Sequence, residues 1–62
     1  MNDQVRAQVL KALAYGEAPE RIAEVMNVNA EDIASIPQSE IDEERAYLSE
    51  IGMIEGGNVN EN

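Results

Sequence analysis

Stop signals cut this chain into short pieces. Gly16, Asn27, Pro37 and Gly52 interrupt every apolar pattern that could run on as a long helix. Between them the spacing is helical, not alternating, so the sequence predicts four short helices and no strands. The chain has 62 residues, no Phe, no Trp and only two tyrosines, Tyr15 and Tyr47. Any core must therefore come from Val, Ile, Leu, Met and Ala. One small all-α domain is expected over residues 1–55, followed by a flexible tail over 56–62, where GGNVNEN offers almost nothing to bury.

The first helix is expected at about residues 3–15, capped by Asn2 or Asp3. Val5, Val9, Ala12 and Leu13 lie on one face, and Gly16 follows as a left-handed stop. The second opens at Pro19, whose missing N–H costs nothing in the first turn. Ile22, Ala23, Val25 and Met26 form its apolar face, and Asn27 ends it, a residue that tolerates the left-handed conformation. The third is short: Asn29 caps it with Asp32 three residues on, Ile33 and Ile36 face inward, and Pro37 ends it. For the fourth, Ser39 is expected to cap and Asp42 to fall at the third helical position. Glu40, Asp42, Glu43 and Glu44 would then crowd the first turn at the positive end of the helix dipole. Ile41, Leu48 and Ile51 form the expected stripe, Gly52 stops the helix, and Met53 and Ile54 fold back.

Composition excludes several functions. With no Cys and no His, there is no disulfide, no thiolate or imidazole zinc site and no Ser–His triad. No oxygen-rich calcium loop is present. Carboxylates such as Glu43 and Glu50 lack the pocket that would raise a pKa for acid–base work, so no enzyme and no cofactor are expected. No apolar run approaches a membrane span, and the opening MNDQVRAQ is too polar for a secretory leader. The expected location is cytoplasmic.

The net charge of −9 is unevenly placed. Residues 1–30 are near neutral, with Arg6, Lys11 and Arg21 set against four acids. Residues 31–62 carry Arg45 alone against nine. Such a surface disfavours nucleic acid and anionic membranes as direct partners and favours a basic protein surface. The three early bases are expected to pair with nearby acids.

The segment VLKALAYGEAPERIAEVMNVNAEDI resembles the helix-turn-helix of LuxR-type and sigma-region-4-like regulators, and of phage small-terminase N-terminal domains. The matching positions are Ala14 and Gly16, Ile22 and Ala23, Asn27 at the turn, Val28, Asn29 as cap, and Ile33. They cover about residues 9–36, a little under half of the chain. The resemblance implies a tri-helical core, with the third helix as the one that reads DNA. The reading positions depart from the family: they hold Ala30, Glu31, Asp32, Ala34 and Ser35, where members carry bases and polar groups that reach bases and phosphates. Of the bases, Arg21 alone stands where the family touches the DNA backbone.

The reading that fits best is an acidic variant of this scaffold used to bind protein, similar to phage- or mobile-element-encoded effectors of host transcription or nucleic-acid enzymes. Glu31, Asp32, Asp42, Glu43 and Glu44 would steer the partner, and Tyr47 and Ile54 would anchor it. Against this stands a solvated acidic surface without a partner. Leu10, Tyr15 and Met53 are further apolar residues that the core is not expected to consume fully. The alternatives are a DNA-binding regulator, acting as a homodimer or beside a basic partner, and a small assembly subunit.

Overall fold

The computed structural model describes residues 1–54; the tail expected over 56–62 lies outside them. Four helices follow one another: α1 (Asp3–Ala14), α2 (Pro19–Met26), α3 (Ala30–Ala34) and α4 (Gln38–Glu50). The described residues contain no strand, so the class is all-α.

Each boundary has a local cause. The Asn2 side chain accepts from the Val5 N–H at 2.8 Å and closes the start of α1. Gly16 takes φ +96° after α1 and Gly52 takes φ +82° after α4, conformations that a Cβ would strain. At both ends two N–H groups then turn back onto the last helical turn. Gly16 donates to the Leu13 carbonyl and Glu17 to Ala12; Gly52 donates to Ser49 and Met53 to Leu48. Asn27 closes α2 with φ 57°, the left-handed conformation expected of it. Asn29 caps α3 by accepting from the Glu31 N–H at 2.9 Å, so its partner is Glu31, not the residue three positions on.

Three expectations are corrected. Ser39 does not cap α4. The helix starts two residues earlier, with Pro37 at the capping position and its carbonyl accepting from Glu40 and Ile41. Pro37 already has a helix-compatible φ of −65°, so the chain turns directly into α4 without a side-chain cap. Glu40 therefore occupies the first turn alone, while Asp42, Glu43 and Glu44 fall beyond the favourable reach of the dipole. Second, Val25 is 72% exposed: it points away from the side of α2 shared by Ile22, Ala23 and Met26. Third, Ile51 caps the end of α4 and is half exposed, because it has rotated off the line through Ile41 and Leu48.

The core is aliphatic. Val9 and Leu13 of α1 meet Ile22 of α2, Ile33 of α3, Ile36 and Ile41, with Val5, Leu10, Ala12, Ala23, Met26 and Val28 packed around them. Leu48 and Ala14 are buried beyond this cluster. α4 packs chiefly on α1, and α3 on α2, so the acids of α3 and those of α4 stand on separate helix pairs. No helix among the described residues is long and apolar enough to cross a membrane.

Candidate protein-docking surface

Two of the four bases are consumed in holding α4 to α1. Arg6 makes a two-pronged bond to Glu40, Nη1 to Oε2 at 2.5 Å and Nη2 to Oε1 at 3.0 Å. Its partner is thus 34 residues away, not the local acid expected. Arg45 reaches the other end of α1, where Nε donates to the Ala14 carbonyl at 2.9 Å and Nη2 to the Leu13 carbonyl at 3.4 Å. Both carbonyls belong to the last turn of α1, where the i+4 ladder ends; Leu13 also accepts from the Gly16 N–H, and Arg45 supplements that bond. The two contacts set the helices side by side, running in the same sense: Arg6 near the start of α1 meets the start of α4, and the end of α1 meets the middle of α4.

The Arg6 guanidinium holds the Glu40 carboxyl below the ordinary glutamate range, chiefly through the hydrogen bond; partial burial opposes it and charge attraction adds to it. A depressed carboxylate stabilises the fold above its unfolded pKa, about 4.3. That contribution fades as pH falls through the lower folded value. Arg6 is shifted upward and stays charged throughout. The stability gap between the native chain and Glu40→Gln is therefore expected to be constant from neutrality to about pH 5 and to narrow in more acid solution. Urea unfolding at a series of pH values checks this, and a gap that widens on acidification would contradict it.

The acids singled out in the sequence behave unequally. Glu31 and Asp32 are exposed at the start of α3. Asp42 is exposed but engaged: Gln38 Nε2 donates to its Oδ1 at 3.1 Å, and Arg45 Nη1 lies 3.7 Å from the same oxygen. Such exposed pairs contribute little, yet they hold Asp42 along α4 and make it the weakest of the five steering candidates. Glu43 is exposed and Glu44 half-buried, and neither has an ion-pair partner among the described residues. Nowhere among the described residues do three acids converge as a metal would require. Tyr47 is more than half exposed, whereas Ile54 is half-buried against the end of α4, its N–H directed at the Leu48 carbonyl. Tyr15 and Met53 are about half exposed, while Leu10 packs against the core.

Sequence reasoning missed Arg45 and Ile51. A signal existed for Arg45: it lies four residues after Ile41 and three before Leu48, on the inner side of α4. A base there is within reach of an acid or of the open end of a neighbouring helix. Lys11 and Arg21 are exposed and unpaired among the described residues. They are the bases left to face solvent.

No family model matches this chain, and neither a curated protein nor a solved structure is significantly similar to it.

Proposed function

We propose that this chain is a small protein-binding module that docks on a basic protein surface, such as the nucleic-acid groove of a transcription or nucleic-acid enzyme, and modulates or inhibits it. The observation that carries the reading is the division of charge. Arg6 and Arg45 are engaged by bonds within the fold, and against the two unpaired bases, Lys11 and Arg21, Glu31, Asp32, Glu43 and Glu44 keep no ion-pair partner among the described residues. A surface of that sign steers a cationic partner and repels phosphates. Occlusion by DNA-like charge is the corresponding mechanism.

The second reading is a helix-turn-helix regulator of DNA. In its favour are the Asn27 turn between α2 and α3, and Arg21, exposed early in α2. Duplex affinity comes largely from bases that neutralise phosphates and falls steeply with salt. A fluorescently labelled duplex titrated at low salt separates the two. The docking reading expects no saturable binding up to about one hundred micromolar chain, weaker than ordinary non-specific affinity for DNA. Saturable binding with a steep salt dependence would favour the regulator.

A further inference from the structure

Three apolar side chains stand in the open at the C-terminal end of α4. Tyr47, Ile51 and Met53 are 55%, 51% and 52% exposed. Tyr47 and Ile51 are four residues apart and so are neighbours on one flank of the helix. The Gly52 turn folds Met53 back toward that last turn, with its N–H on the Leu48 carbonyl at 2.8 Å. Isolated exposed apolar residues need no explanation, but adjacent ones rimmed by charge do.

Three acids of α4 flank this patch. Glu44 and Glu43 lie one turn before Tyr47, and Glu50 follows it; none has an ion-pair partner among the described residues. The last turn of α4 carries no base, so the negative pole of the helix dipole is uncompensated there. The one base of α4, Arg45, is held on the carbonyls of Ala14 and Leu13.

We infer that this end of α4 receives a cationic amphipathic segment of the partner, whose apolar side chains cover Tyr47, Ile51 and Met53 while flanking Lys or Arg meet Glu43, Glu44 and Glu50. The inference rests on the protein-docking reading and specifies its anchor. A second copy of the chain is the poorer occupant. Two copies joined along this flank would set Glu43, Glu44 and Glu50 of each against those of the other, and like charges across an interface are costly. Three half-exposed side chains also supply much less than the about 800 Å² per partner of a stable interface. They suit an anchor inside a larger, charge-steered contact.

The test is an NMR titration of the isotope-labelled full chain with two probes. One is a short helical peptide of leucines and lysines; the other is an oligolysine of equal charge. The leucine-bearing peptide is expected to bind at least about tenfold more tightly, with shifts concentrated on residues 47–53. Ile51→Ser is expected to weaken it about fivefold or more while moving the melting midpoint by no more than about 4 °C, since Ile51 supports no core. Equal affinity for the two probes, or shifts centred on Glu31 and Asp32, would overturn the anchor and leave the docking reading standing. Binding of neither probe would count against both. A chain that sediments as a dimer with residues 47–53 shielded would assign the patch to a second copy and overturn the inference.

Discussion

Leu48→Ala is expected to lower the thermal midpoint by more than about 10 °C. Leu48 is among the largest fully buried side chains, 2% exposed. It lies under the turn that closes α4 and one turn past Arg45, so the atoms removed leave a hole at the α1–α4 contact. Such truncations cost about 2–5 kcal/mol. Domains have total stabilities of about 0.05–0.15 kcal/mol per residue, so a chain of 62 residues has little to lose. Each kcal/mol moves the midpoint of a domain this small by about 4–8 °C. Circular-dichroism melting checks the expectation. The control is Ile51→Ala on the same helix: half exposed and off the core line, it is expected to cost under about 0.5 kcal/mol. Equal shifts for the two variants would mean that the division of α4 into a buried and an open side is wrong.

The second large effect is on binding. Replacing Glu31, Glu43 and Glu44 together by lysine is expected to cut recovery of the protein partner at least about tenfold, equivalent to about 1.4 kcal/mol or more. It should also flatten the salt dependence of the complex, because charge pairs at an interface rim act through encounter and screening. The fold should tolerate the change. Glu43 and Glu44 lie beyond the first turn of α4, and Glu31 loses only a helix-dipole contribution of about 0.3–1 kcal/mol. Asp42 is left intact because Gln38 and Arg45 engage it. Undiminished recovery by the folded triple variant would contradict the charge-steering role.

The four helices and most of the core were legible because their signals are local. Asn2, Pro19, Asn27, Asn29 and Gly52 act on the backbone within a turn of themselves, and Val9, Leu13, Ile22, Ile33, Ile36 and Ile41 repeat at helical spacing. Ser39 misled because it is a stronger capping residue than Pro37 by propensity, whereas the chain leaves α3 already extended at Pro37. Ile51 and Val25 misled because apolar character was read as burial, although a helix buries only a stripe of its surface. The bonds from Arg6 to Glu40 and from Arg45 to α1 join residues more than thirty apart. Spacing sets Arg45 beside the buried stripe of α4, but nothing local to either arginine specifies which residue it meets. The acids were visible as a composition; which of them remain unpaired depends on those long-range bonds.

The proposed role of this fold is to bind protein through the exposed acids of α3 and α4. The most direct measurement is a pull-down from lysate of the native host with the tagged chain as bait, performed with and without nuclease and read by mass spectrometry. The expected result is a stoichiometric protein partner with a basic surface that is retained after nuclease treatment. A catch that disappears with the nucleic acid would contradict it and assign the chain to DNA or RNA.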